Sequence, residues 1–498
     1  MSNNTSKKLT LFSLVLMIFT SVYGFANMPR AFLLMGYAAI PWYIFGALAF
    51  FLPYAFMMAE YGAAFKNEKG GIFSWMEHSV GPKYAFVGTF MWYASYLVWQ
   101  VNVASSIWVP LSNAIFGKDV THELIFFGFK GPQVLGLLAI GWIILVTFIA
   151  TRGLDKIKKV TSLGGLAISA LNIILFVGGI AILYLNNNQL AQPITDIVAS
   201  FTVSPNPQYH STLSTISFLT FAIFAYGGIE AVGGLVDQTE NAQKTFPKGV
   251  AISAVVISIG YALGIFMIGI FTNWEAILAV PGVNRANVTY VVMQNFGYVI
   301  ASLLGAPNDL ALTIGIWSAR FVGLSMFLAL SGAFFTLIYA PLKQLIEGTP
   351  SGLWPEKFSK LEKGMPAYAM KIQAIIVIIF IALVAFGGQS ASAFFDKLIT
   401  MTNVAMTIPY MFLAAAFPFF KKKKEIQKPF EVYKSYTVAL FASVIVTAVV
   451  GFANVFSIIE PAIIQGNIVD TLLAGGGPLL FVIIALLLYS RYERNCKN

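Results

Sequence analysis

Charge is scarce in this chain. Only 10% of its 498 residues are Asp, Glu, Lys or Arg, against about 25% in a soluble globular protein, so no long polar block exists from which a sizeable soluble domain could be built. Cysteine is almost missing. Cys496 stands alone in a polar C-terminal stretch, which excludes a disulfide within the chain and gives no reason to assign an oxidising compartment. The three histidines, His78, His122 and His210, are scattered through polar segments. That leaves no Cys/His metal spacing, and no histidine base inside an apolar run for an intramembrane enzyme. No G-x-x-x-x-G-K-[ST] stretch occurs, which removes a nucleotide-driven pump from consideration. No cofactor and no metal are expected.

Apolar residues are what the chain has in excess: 58% of it, 44 phenylalanines included, with a mean hydropathy of +0.77. This is the composition of an all-α polytopic membrane protein. Runs of about 20 apolar residues, enough to cross a bilayer core, recur twelve times, at approximately 10–35, 39–59, 84–113, 132–151, 161–185, 212–236, 249–271, 312–342, 372–388, 395–420, 435–458 and 472–490. The first run is too long, and lacks the small-residue cleavage site, for a removed signal peptide. Asn273 to Asp309 reads as an outer loop with an interfacial helix.

Basic residues sort along this map. With both termini cytoplasmic, 25 of the 31 Lys and Arg fall on the inner side, Lys66, Lys69 and the run Lys421 to Lys424 among them. Lys118, Lys130, Arg285, Lys397 and, at the membrane edge, Arg30 are the outer exceptions, and Arg320 lies within a run. The positive-inside rule therefore predicts N-in, C-in and an even number of spans in a plasma (inner) membrane. It also accounts for the net charge of +10 without nucleic acid, since the charges are dispersed over one membrane side and not gathered in a patch.

The sixth run carries "FAIFAYGGIEAVGG", residues 221–234. Glycine weakens a helix by roughly 1 kcal/mol relative to alanine, and an opened turn in hydrocarbon is tolerated only beside protein or a water-filled cavity. Glu230, three residues past Gly227, has the same implication. The first run holds a counterpart, "FTSVYGFANMPR", residues 19–30, with Ser21, Gly24, Asn27 and Pro29 at interrupting positions. Broken helices at matching places in two halves point to a secondary transporter's midplane site, where freed N–H groups take a carboxylate and freed carbonyls an ammonium.

Three segments carry a family resemblance: "AEYGAAFKNEKGGIFSWMEHSVGPKYAF" (59–86), "FAYGGIEAVGGLVDQTENAQKTFPKGV" (224–250) and "IYAPLKQLIEGTPSGLWPEKFSKLEKGMPAYAM" (338–370). They resemble signature segments of the amino acid-polyamine-organocation superfamily, most of all its glutamate/γ-aminobutyrate antiporter branch. The resemblance implies a five-plus-five inverted repeat with broken helices 1 and 6: a tail at 1–8, helices 1 to 5 in 9–190, helices 6 to 10 in 210–420, and helices 11 and 12 with a cytoplasmic tail in 430–498. It also implies residue roles. Ser21, Val22, Tyr23 and Gly24 would meet the substrate carboxylate, though Val22 and Tyr23 add bulk where many members have Gly-Ser-Gly. Phe224 would gate the substrate, Ala225, Tyr226, Gly227 and Gly228 would offer carbonyls to its amine, and Ser95, Tyr96 and Gln100 would line the pocket. Leu337 stands where a tryptophan is common in amino acid exchangers.

Glu230 has two readings, a coupling or gating acid, or a structural carboxylate bonded to the backbone of the first or eighth helix. Trp92, Trp99 and Trp317 have two as well, packing aromatics or gates. The expected function is secondary active transport of amino acids or related amino-carboxylates by alternating access, through exchange or proton coupling. A polyamine or amine transporter is the alternative, and a non-transporting receptor or channel a further one. No nucleic acid partner is expected; the partners are a small amino acid and membrane lipid.

Overall fold

A computed structural model describes residues 8–497, side chains at 122, 389–403, 465 and 497 excepted. The expected tail, residues 1–8, thus lies outside the described residues but for Lys8, as does the side chain of Lys397. Among the described residues there are helices and isolated backbone bridges but no strand, and ten helical segments are long and apolar enough to cross a membrane.

The first of the ten, Leu11–Ala64, takes in two of the expected runs. It is divided into α1 (Leu11–Val22), α2 (Asn27–Met35), α3 (Ala39–Gly46) and α4 (Leu52–Ala64). Thr10 caps α1 by accepting from the Ser13 amide at 3.3 Å, which satisfies one of the unpaired donors of a helix start. A short α5 (Ile72–Ser79) leads into α6 (Pro82–Ser106) and α7 (Trp108–Phe116), the third expected run. Then come α8 (Gly131–Ala150), α9 (Leu154–Leu185) and the small α10 (Ile197–Thr202).

The second half opens with α11 (Thr212–Phe224), capped by the Ser211 hydroxyl on the Ser214 amide, and a 3₁₀ segment, Ile229–Leu235. It continues through α12 (Ala242–Phe271), α13 (Val288–Leu303), α14 (Asn308–Gly348), α15 (Glu356–Ser359), α16 (Ala367–Phe386), α17 (Gly388–Lys422), α18 (Tyr436–Gln465) and α19 (Ile468–Lys497). Within the stretch Asn273 to Asp309, α13 is a shorter apolar helix of 16 residues packed on α14.

Helix faces divide as they would between lipid and protein. On α9, Ile173, Val177 and Ile180 are exposed while Leu171, Leu175 and Ile182 are fully buried, so one stripe is left for hydrocarbon. The buried stripe is lined with small residues: a β-carbon on Gly164 would stand 2.5 Å from the Leu328 carbonyl oxygen of α14, and one on Gly165 2.7 Å from the Leu16 β-carbon of α1. Close backbone approach replaces the hydrophobic drive that lipid does not supply. At the end of α4, Glu60 is fully buried and accepts from the Val432 and Tyr433 amides at 2.6 and 2.7 Å and from Lys421 at 3.0 Å. It ties α4 to the connection between α17 and α18.

Candidate functional site

The break in the first helix lies at Tyr23–Ala26, between α1 and α2. Pro29 is not at the break itself. It occupies the first turn of α2, where a missing N–H costs nothing because no intrahelical acceptor awaits it. The second break runs from Ala225 to Gly228, between α11 and the 3₁₀ segment.

The two broken helices lie side by side and antiparallel. Leu9, just before α1, exchanges backbone hydrogen bonds with Gln238 and Glu240 beyond the 3₁₀ segment, each 2.8 Å. At the other end the Ser204 hydroxyl, ahead of α11, donates to the Leu34 carbonyl of α2 at 3.0 Å. Midway, the breaks touch. Gly228 has φ +112°, and a β-carbon there would meet the Ser21 carbonyl oxygen at 2.4 Å. Only glycine fits both the positive φ and the contact.

A tyrosine on α12 fastens the pair. The Tyr261 hydroxyl accepts from the Gly24 amide at 2.9 Å and from Asn27 Nδ2 at 3.1 Å, and faces the carbonyls of Val22 and Ala225, each at 3.1 Å. One buried hydroxyl therefore serves opened backbone on both broken helices. Nothing in the sequence around Tyr261 marks it, since it sits in an uninterrupted apolar run.

Glu230 is fully buried and fully engaged. Its Oε1 accepts from Trp92 Nε1 at 3.0 Å and lies 3.2 Å from the hydroxyls of Tyr96 and Tyr410, while Oε2 accepts from the Gly228 amide at 3.1 Å. Tyr410 also accepts from that amide at 3.1 Å, so its own proton is free for the carboxylate. The carboxylate's partners come from α6, α17 and the break itself. The first and eighth expected helices do not reach it, although Gln344 of α14 lies 3.4 Å from the Glu230 backbone carbonyl.

Beside the breaks is a cavity of about 670 Å³ lined by Ser21, Val22, Gly24, Tyr96, Phe224, Ala225, Gly227 and Gly228, eight of the expected residues. Trp99, Leu337, Tyr410, Ser457 and Glu460 join them. Four expected residues are placed elsewhere. Tyr23 packs edge-on against Tyr261, and the Ser95 hydroxyl donates back to the Met91 carbonyl within α6. Gln100 faces Gln373 at 3.4 Å, and the Tyr226 hydroxyl donates to the Tyr43 carbonyl at 3.0 Å. Trp92 is a buried hydrogen-bond donor, whereas Trp317 is exposed and stacks under Arg320.

Below Glu230 the molecule is closed. Gln344 Nε2 donates to the Ala231 carbonyl at 3.1 Å and its Oε1 accepts from the Ile72 amide at 2.8 Å. The adjacent Lys343, 1% exposed, donates to the Gly234 carbonyl at 2.8 Å and pairs with Asp237 at 2.5 Å. These two side chains of α14 hold the 3₁₀ segment by the carbonyls that its short length leaves unpaired.

Residues 9–486 match the family model described as amino acid permease. The chain is 53% identical over 491 residues to the inner membrane transporter YjeM of Salmonella typhimurium, covering 98% of this chain and 97% of that one. It is 52% identical to the protein of that name from Escherichia coli, covering 99% and 98%. More distantly, it is 25% identical to the aspartate/glutamate permease AcaP of Lactococcus lactis, over 88% of this chain and 85% of the relative. A glutamate/gamma-aminobutyrate antiporter of Lactococcus lactis is likewise 25% identical, over 91% and 84%.

Proposed function

The chain belongs to the amino acid permease family, and from that premise we propose that it is a secondary active transporter of amino acids or closely related amino-carboxylates, working by alternating access. The observation that carries this reading is the meeting of two antiparallel broken helices at one cavity, with the breaks at Tyr23–Ala26 and at Ala225–Gly228 beside it. Backbone N–H groups and carbonyls brought together in this way match the two ends of an amino acid. The names of the more distant relatives, one a permease for aspartate and glutamate and one an antiporter, favour amino acid cargo and exchange.

The architecture in this reading is twelve spans, helices 1 to 5 in 9–190 and 6 to 10 in 210–420 as inverted repeats, with the last two helices in 430–498. Both termini are cytoplasmic. The end closed by Lys343 and Gln344 is then the inner one, and the cavity opens outward. Glu230 is the gating carboxylate, since it joins the moving 3₁₀ segment to α6 and α17. Ser95, Gln100, Tyr23 and Tyr226 act behind the wall, holding the residues that face the cargo.

Purified protein reconstituted in liposomes preloaded with single amino acids tests the proposal. Saturable counterflow of at least one labelled amino acid is expected, and accumulation under an imposed pH gradient separates proton coupling from exchange. Flux that does not saturate, or requires no internal substrate and no gradient, would remove the transporter reading in favour of a channel.

A further inference from the structure

The cavity has a charged end that the family reading leaves unused. Among the described residues lining it, Glu460 is the one Asp or Glu, and no lysine, arginine or histidine is among them. Glu460 sits on α18, and its Oε1 accepts from the hydroxyl of Ser217 on α11. Ser217 precedes Ala225 by eight residues, which puts the carboxylate about 12 Å along the helix from the second break. Glu460 thus stands at the end of the cavity away from the second break and Glu230, the end that is the mouth in the outward-open reading.

The residue after Glu460 is Pro461, inside α18. Proline has no N–H to give to the carbonyl four residues back, here that of Ser457, which also lines the cavity. The cavity wall thus carries a carboxylate bonded to the hydroxyl of Ser217 and, three residues back on the same helix, a serine whose carbonyl is deprived of its usual helical donor. All three accept hydrogen bonds, and an ammonium group offers three donors and a positive charge.

Resting on the reading of this cavity as the substrate path, we infer that Glu460, the Ser457 carbonyl and Ser217 form an ammonium-binding position at its mouth, selecting amine-rich cargo of net positive charge, basic amino acids above all, over dicarboxylic ones. An anionic side chain would meet Glu460 at the mouth and Glu230 below, with no cation among the described lining residues to offset either. The substrate class therefore departs from that in the name of the aspartate/glutamate permease relative.

The test is binding of lysine, alanine, glutamate and the diamine cadaverine to purified protein in lipid nanodiscs, with counterflow of the same four in liposomes. Wild type should bind lysine at least tenfold more tightly than glutamate. Glu460→Gln should reduce the lysine-to-alanine affinity ratio about tenfold, and Glu460→Asp should restore part of it. Should Glu460→Gln fail to insert, the wild-type order and Glu460→Asp still decide. Glutamate bound as tightly as lysine, or equal loss for lysine and alanine in Glu460→Gln, overturns the inference. If cadaverine binds and depends on Glu460 while no amino acid binds, the amino acid reading falls and the ammonium position stands. If wild type binds none of the four, both fall.

Discussion

Gln in place of Glu230 looks conservative, yet the geometry makes it costly. Oε1 faces Trp92 N–H and the two tyrosines, and Oε2 faces the Gly228 N–H. An amide nitrogen in either place sets a donor against a donor, the indole in one case and the backbone amide in the other. Glu230→Gln should lose about 1–3 kcal/mol for a buried group left unpaired, visible as a lower unfolding temperature in detergent. A gating role adds a slowed exchange with a flattened pH profile in the surviving protein. An unaltered pH profile beside lowered stability would leave Glu230 purely structural. Gly228→Ala probes the contact between breaks: with 2.4 Å to the Ser21 oxygen and φ +112°, the added methyl must push the helices apart. Exchange should be lost while membrane insertion persists, and wild-type exchange would contradict the close approach.

Broken helices bring an element-scale problem, because each break leaves backbone groups that the helix no longer pairs. Here the neighbours supply partners: Tyr261 of α12 at the midpoint, and Lys343 and Gln344 of α14 along the 3₁₀ segment. Removing one member of a buried ion pair costs about 3–5 kcal/mol, and Asp237 is 16% exposed, so Lys343→Met should fall at the low end of that range. Asp237→Asn added to it should recover part of the loss, because the unpaired carboxylate is then gone. A double-mutant cycle on detergent stability measures this, and strictly additive effects would show that the pair is uncoupled.

At the scale of the molecule, the proposed orientation makes a simple labelling prediction. Cys496 is the chain's one cysteine, so Cys496→Ser gives a clean background. In sealed right-side-out cells, Lys118→Cys should react with an impermeant maleimide, whereas Lys424→Cys should react only after permeabilisation. The reverse pattern would invert the topology, and with it the side on which Glu460 meets solvent.

Much of this protein could be read from the chain alone. Apolar runs, the sorting of lysines and the glycines at 227 and 228 depend on local composition, and hydrocarbon enforces them strongly: a span must be apolar for some 20 residues, and a break must have a reason. The two breaks are legible for that cause, while the eight wall residues are ones that the family resemblance implies. The rest depended on which side chains meet across helices. Tyr261 and Tyr410 lie inside apolar runs and Lys343 and Gln344 just past the end of one, with nothing local to say which groups they meet, and Glu230's partners come from α6 and α17, far away in sequence. Tyr23, Ser95, Gln100 and Tyr226 were placed by position along a helix, whereas their facing depends on helix rotation and packing. Glu460 and Ser457 belong to the cavity only because α18 leans on α11. Sequence determines what each segment must avoid exposing to lipid; only tertiary packing decides which buried polar groups find one another, because those pairings are long-range and carry no period of their own.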